Sequence, residues 1–170
     1  MAYAQNTTVA PERSQAEIAK LLLKYGANGF TYGWDGGYAQ VAFRAHERVI
    51  RFTVPLPSIN ENRFHVTEAG RRRADPKGAH DAEIRRRWRS MVLVIKAKLE
   101  AVETGVTSFE DEFMAHIVLP GTGMTVAEMV RDRIQQAYDS GQPIDLMPGL
   151  PGGASGPLQL EAPVDAEVVG

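Results

Sequence analysis

The sequence contains no cysteine, which excludes disulfide bonds, thiolate zinc sites and cysteine nucleophiles. No apolar run approaches the ~20 residues that a helix needs to cross a bilayer. The opening stretch MAYAQNTTVAPERS lacks the basic start and apolar core of a signal peptide. We therefore expect a cytoplasmic protein with no membrane span.

Motifs for nucleophilic catalysis are also missing. The chain has no G-x-S-x-G, no S-x-x-K and no P-loop lysine. Glu112 and His116 stand four apart on a predicted helix and could hold one ion, as could the group His80, Asp81 and Glu83. No further ligand completes either set, and acidic residues are common at helix N-termini. We predict a non-enzymatic protein without metal or cofactor, with a metal-dependent nuclease as the weakest alternative.

Charge is unevenly distributed along the 170 residues, although the net charge is only −2. Residues 44–98 carry fourteen Lys and Arg against six Asp and Glu, whereas no Lys or Arg follows Arg133. We predict a flexible arm over 1–12, one domain over 13–141 and a Pro/Gly-rich acidic tail over 142–170. The tail is a candidate site for a protein partner.

The pattern of apolar residues predicts an α+β fold. Ser14 and Glu17 form a capping box for a helix over 14–25. Residues 30–57 alternate as a three-stranded antiparallel meander with turns at Asp35-Gly36-Gly37 and His46-Glu47. In that register Phe43 opposes Ile50, Val41 opposes Phe52 and Ala39 opposes Val54, and the same face carries Phe30, Tyr32 and Trp34.

A long central helix over 80–104 follows a polar loop, and two shorter helices follow it. The short helix near 108–116 has Thr107 or Ser108 as its cap, and the last helix begins near Thr125. We expect the helices to pack on the apolar face of the sheet. Trp34 and Trp88 are both predicted to be core residues.

A basic centre is the strongest functional signal, because seven arginines lie within residues 71–89. Guanidinium groups bind phosphates, and planar side chains stack on bases. We predict a nucleic-acid-binding surface made of Arg71, Arg72, Arg73, Lys77, Arg85, Arg86, Arg89, Arg44, Arg51 and Tyr38. The alternative is that the helix arginines only solvate its start and pair with Asp81, Glu83, Glu100 and Glu103.

Two stretches, ERSQAEIAKLLLKYGANGFTYGW and RRRWRSMVLVIKAKLEAVETGVTSFEDEFMAHIVLP, carry a family resemblance over about residues 7–140. The chain resembles a group of small uncharacterised proteins encoded by bacteriophages and prophages. The resemblance implies a phage context in a bacterial host but no particular activity. The predicted β-β-β-α order is also similar to the core of single-strand annealing proteins, a likeness of fold alone.

Two functions remain open at this point. The first is a phage-type nucleic-acid-binding protein, which would bind or anneal single-stranded DNA in replication or recombination and form homo-oligomers. The second is an anti-defence or host-directed protein that binds a small anionic nucleotide or a host protein.

Overall fold

The computed structural model describes residues 8–35 and 37–146. Within these ranges the chain forms, in order, α1 (Pro11–Lys24), β1 (Asn28–Asp35), β2 (Tyr38–Ala45), β3 (Arg48–Pro55), α2 (Asn62–His65), α3 (Pro76–Glu103), α4 (Phe109–Phe113), a 3-10 helix (Met114–His116) and α5 (Val126–Ser140). The predicted α+β class is confirmed. Most of the predicted arm and tail lies outside the described residues.

The described residues fall into two compact units, which divide the chain between Ala127 and Glu128. The predicted bounds of the arm, the domain and the tail stay predictions. The sheet and helices α1 to α4 belong to the first unit. Most of α5 belongs to the second, and none of its residues is buried, although its stripe of apolar residues was predicted to face a core. Ile134 is 41% exposed and Tyr138 84% exposed.

The sheet is an antiparallel meander in the order β1-β2-β3, and its predicted register is confirmed. Phe43 pairs with Ile50, Val41 with Phe52, and Ala39 with Val54. The β2–β3 turn places His46 at φ 48° and Glu47 at φ 58°, the two left-handed positions of a tight hairpin turn.

One face of this sheet is buried under α3. The helix contributes Trp88, Met91, Val92, Ile95 and Leu99, and the sheet contributes Ala39, Val41, Phe43, Ala45, Ile50 and Phe52. From α4, Phe113 is fully buried and meets Phe43 and Phe52 edge to face at 6.0 and 6.3 Å. The core is therefore a single layer between the sheet and the helices.

Helix α1 begins at Pro11, earlier than predicted, with Ala10 as its N-cap and no side-chain cap bond. Ser14 does not cap the helix as predicted but lies inside it and is fully buried. Glu17, the other member of the predicted capping box, instead accepts a 2.6 Å bond from Arg89 Nη1 on α3. At the far end Tyr25 donates to Glu100 Oε2 at 3.0 Å, so α1 runs parallel to α3.

The two edges of the sheet differ. At β3, the backbone N–H of Val118 donates to Val49 O at 2.8 Å, and Ile117 bridges to Ile50. At β1, no described side chain is buried. The prediction for Trp88 is confirmed, since it is 4% exposed, but the prediction for Trp34 is wrong, since it is 69% exposed. Trp34 does lie on the predicted face, but it lies at the edge of the sheet beyond the helical layer.

The predicted loop over 58–81 contains more structure than expected. The short helix α2 lies within it, and α3 begins at Pro76 rather than near residue 80. Asp75 caps α3 by accepting a 2.7 Å bond from Gly78 N. Ser108 caps α4 through a 3.1 Å bond from Asp111 N, as predicted. Among the described residues, no helix is long and apolar enough to cross a membrane.

Glu47→Gly is predicted to stabilise the protein by about 0.5–1 kcal/mol, because glycine adopts the positive φ of this turn position without steric cost. Chemical denaturation measures the change. Glu47→Ala is the matched control, since it removes the same carboxylate and keeps the strained backbone. Equal stability of the two variants would contradict this explanation.

Candidate nucleic-acid interface

The second face of the sheet carries no helix and none of its described side chains is buried. Strand alternation places on this uncovered face the side chains of Thr31, Tyr38, Gln40, Ala42, Arg44, Val49, Arg51 and Thr53, with Gly33 among them. The register also pairs Asp35 with Tyr38, so an acidic residue occupies a position on this side of the sheet at its hairpin end. Beyond that end the face is a polar platform with two arginines and small residues near its middle.

An open depression of about 520 Å³ lies at one end of the uncovered face. Asn28, Gly29, Thr31, Ala42, Arg44 and Val49 are among the residues that line it. Gly29 forms a bulge at φ 77°, where the pairing of β1 with β2 shifts between Asn28 and Phe30. Arg44 thus borders an open hollow, with a lining more apolar than polar, that a small group with one anionic end could enter.

The three predicted residues of the sheet are spread along this face. Tyr38 is 51% exposed and pairs with Pro55 at the β1–β2 hairpin end. Arg44 lies six residues further along β2, about 20 Å away. Arg51 pairs with Ala42, which places it diagonally beside Arg44, as predicted. A ligand in contact with all three must therefore be extended.

The loop arginines divide into two kinds. Arg71 and Arg72 are exposed, and within the described part of the chain only their backbones are bonded, to Thr67 and Val66. Arg73 donates from its Nε to Arg63 O at 3.1 Å and from its backbone to His65 O at 2.8 Å. Arg73 thus fastens the loop to α2.

This loop lies at the hairpin end of the sheet. The ring of Phe64 on α2 meets His80 edge to face at 5.2 Å, and His80 Nε2 is 3.0 Å from Pro57 O just beyond β3. Arg87 also donates to Pro55 O. The loop arginines and Tyr38 are therefore near the same end of the sheet, opposite the end that carries Arg44.

Most basic residues of α3 are held by carboxylates. Lys77 bonds Asp81 at 2.7 Å, and this hydrogen bond lowers the pKa of Asp81 and raises that of Lys77. Arg86 and Arg87 share Glu83 at 2.6 and 3.1 Å. Burial alone would raise the pKa of Glu83, but these two bonds keep it below its ordinary value.

Glu17 binds Arg89 in the same way from α1, as described above. Arg85 lies one turn earlier on α3, half-buried, and its Nε has no hydrogen-bond partner among the described residues. Lys77, Arg86 and Arg89 therefore fit the alternative interpretation, in which the basic side chains of the helix pair with carboxylates. They fit less well the prediction that these side chains are free to bind phosphates. The structure does not bring the ten predicted residues together in one patch.

Glu112 on α4 and His116 on the 3-10 helix, which could have held one ion, make other contacts. Glu112 Oε1 accepts a 2.8 Å bond from Lys98, and the His116 ring stacks on Phe52 at 4.0 Å. Over residues 8–35 and 37–146, no group of three or more His, Asp or Glu could hold a metal ion. The geometry therefore offers no support for a metal-dependent nuclease.

Sequence reasoning missed two features of the surface. Tyr32 and Trp34 were assigned to the core, yet they are 47% and 69% exposed on the covered side of β1. The first strand of a three-stranded meander is always an edge strand, and this signal could have indicated their exposure. The depression around Gly29 depends on a bulge that no pattern in the sequence marks.

Comparison with protein families, curated proteins and solved structures finds no match to this chain. The functional argument therefore depends on the geometry of the surface itself.

Stability is predicted to fall as the pH is lowered from about 7.5 to about 5.5, because burial, aided by Lys98, lowers the pKa of His116 below 6.5 in the folded state. The unfolded chain takes up the proton at higher pH, so acidification favours unfolding. Denaturant midpoints at both pH values measure the loss. His116→Gln should flatten this dependence, and an unchanged slope would contradict the assignment.

Proposed function

We propose that the protein binds single-stranded nucleic acid along the uncovered face of the sheet. The observation that carries the proposal is the combination on one open face of Arg44, Arg51 and an exposed tyrosine. Arginine forks neutralise phosphates, and an exposed aromatic ring stacks on any base. An extended strand matches the ~20 Å that separate Tyr38 from Arg44.

Exposure of Tyr38 favours a single strand over a duplex. The bases of a duplex are already stacked on one another, so their faces are hidden from the ring of Tyr38. A single strand presents unstacked bases, and stacking on an aromatic side chain contributes about 1–3 kcal/mol per base. The exposed side chains of Arg71 and Arg72, near the same end of the sheet, would extend the phosphate path.

The α3 residues play a smaller part in this proposal than in the sequence-based prediction. A phosphate that binds Arg86 or Arg89 must compete with Glu83 or Glu17, which already bind these guanidinium groups at 2.6 Å. We assign the main contacts to Tyr38, Arg44, Arg51, Arg71 and Arg72. A role in phage replication or recombination, and the absence of enzymatic activity, stay predictions.

The 520 Å³ depression beside Arg44 favours a second candidate, a small anionic nucleotide bound by a host-directed protein. Its volume lies within the range of small-molecule sites, about 300–1,000 Å³. The two candidates differ in how affinity depends on ligand length. If an oligonucleotide binds more tightly than a mononucleotide, the strand-binding function is supported. If a mononucleotide binds as tightly as an oligonucleotide, the second candidate is supported.

Arg44→Ala is predicted to weaken binding of an unstructured oligonucleotide and to reduce the slope of log K against log salt by about 0.7, the value for one lost phosphate contact on a single strand. Fluorescence anisotropy over a salt series measures both quantities. Lys20→Ala on α1 is the matched control, because it removes one exposed positive charge elsewhere in the fold. Equal losses in the two variants would show that only net charge matters.

Tyr38→Ala is predicted to cost about 1–3 kcal/mol of binding free energy for a single strand, whereas Tyr38→Phe retains the stacking ring and most of the affinity. Titration of each variant with the same oligonucleotide measures the difference. Duplex of the same sequence should not distinguish the two variants. If alanine and phenylalanine bind the single strand equally well, base stacking at this position is excluded.

A further inference from the structure

Strand β1 is an unprotected edge of the sheet. It contains no proline, and its only charged residue is Asp35 at its end. Such residues, bulges or a covering segment normally block edge-to-edge pairing of sheets. The other edge, at β3, has such a covering segment in Ile117 and Val118. On β1 the only interruption is the bulge at Gly29, and the pairing with β2 is regular from Phe30 onward.

The same strand exposes aromatic surface on its covered side. Phe30 and Tyr32 lie 5.7 Å apart between ring centroids, and Tyr32 meets the edge of Trp88 at 6.5 Å. Tyr32 and Trp34 are nevertheless 47% and 69% exposed. The strand therefore combines unpaired backbone groups with an apolar row that the protein's own helices leave open.

We propose that β1 pairs antiparallel with β1 of a second copy about a two-fold axis, which joins two three-stranded sheets into one of six strands. The sequence of the strand is self-complementary in one register. With Tyr32 opposite its own copy, Phe30 lies opposite Trp34 at both ends, so every aromatic side chain meets another. Directly opposed aromatic pairs stabilise antiparallel strands, and a two-fold interface requires this reciprocity.

The reciprocal register is the reason to assign this edge to a second copy rather than to a foreign peptide. Slipping the pairing by two residues in either direction breaks the match. If Thr31 faces its copy, Trp34 loses its aromatic partner, and if Gly33 faces its copy, Phe30 loses its partner. The bulge at Gly29 also limits regular pairing to the segment that carries the three rings. The inference stands whether or not the protein binds nucleic acid.

A single introduced cysteine tests the interface, because the chain has none of its own. In the Tyr32→Cys variant the two thiols would face each other across the axis, and mild oxidation should yield a covalent dimer. Strand pairing raises the effective thiol concentration from micromolar to millimolar, so cross-linking should be about 100-fold faster than for a non-interface thiol. Thr53→Cys, exposed on β3, is the matched control. Equal rates in the two variants would overturn the proposal.

The register is tested by mixing two further variants, Phe30→Cys and Trp34→Cys. Each alone should cross-link slowly, because its thiol faces an aromatic ring, whereas the mixture should give a covalent heterodimer. Fast cross-linking of either variant alone would overturn the stated register.

Sedimentation of the unsubstituted protein provides a measurement that depends on no cysteine. We expect a dimer, and we expect Trp34→Glu, which places a charge at this exposed position, to sediment as a monomer with an unchanged circular dichroism spectrum. A monomer at every concentration of the unsubstituted protein, or a dimer that persists in Trp34→Glu, would overturn the proposal.

Discussion

The packing of α3 across one face of a three-stranded sheet is the contact on which the rest of the first unit depends. Trp88, Met91, Val92, Ile95 and Leu99 form the apolar stripe of the helix, and this stripe fills the space above β2 and β3. Helix α1 is held beside α3 by its own apolar residues and by Glu17. Because these helices form a single layer, they can bury only one side of the sheet, and the second side stays open to solvent.

This single-layer construction also separates the two roles of the basic residues. Arg86, Arg87 and Arg89, about three turns into α3, stand next to carboxylates on the same helix or on α1, and their charge is compensated within the fold. These pairs are partly buried, with the Glu83 side chain 11% exposed. The cost of removing both charges from water offsets much of their attraction, so they position the side chains more than they stabilise the protein. Arg44 on the sheet and Arg71 in the loop have no such neighbour among the described residues, and these arginines remain available to an anionic ligand.

The sequence was sufficient for the register of the sheet, because a two-residue turn at His46-Glu47 and a strict alternation of apolar residues leave one consistent pairing. The buried stripe of α3 followed from helical periodicity for the same reason. The exposure of Trp34 could not be predicted from the sequence. Periodicity assigns a residue to one face of a strand, but it does not say how far the helical layer extends over that face. The partners of Arg73 and Arg89 could not be predicted either, since they depend on how the loop and α1 approach α3. The pairing of Arg86 with Glu83 could, because the two residues are three apart on one helix.

The central claim is that ligands bind on the uncovered face and not on the arginines of α3. Its most direct test is a titration of isotopically labelled protein with a short single-stranded oligonucleotide, followed by backbone amide chemical shifts. The account predicts that the largest changes map to Thr31, Gln40, Ala42, Arg44 and Thr53 on the strands. Changes confined to α1 and to the segment of α3 that carries Arg85, Arg86 and Arg89, with the strands unaffected, would contradict it.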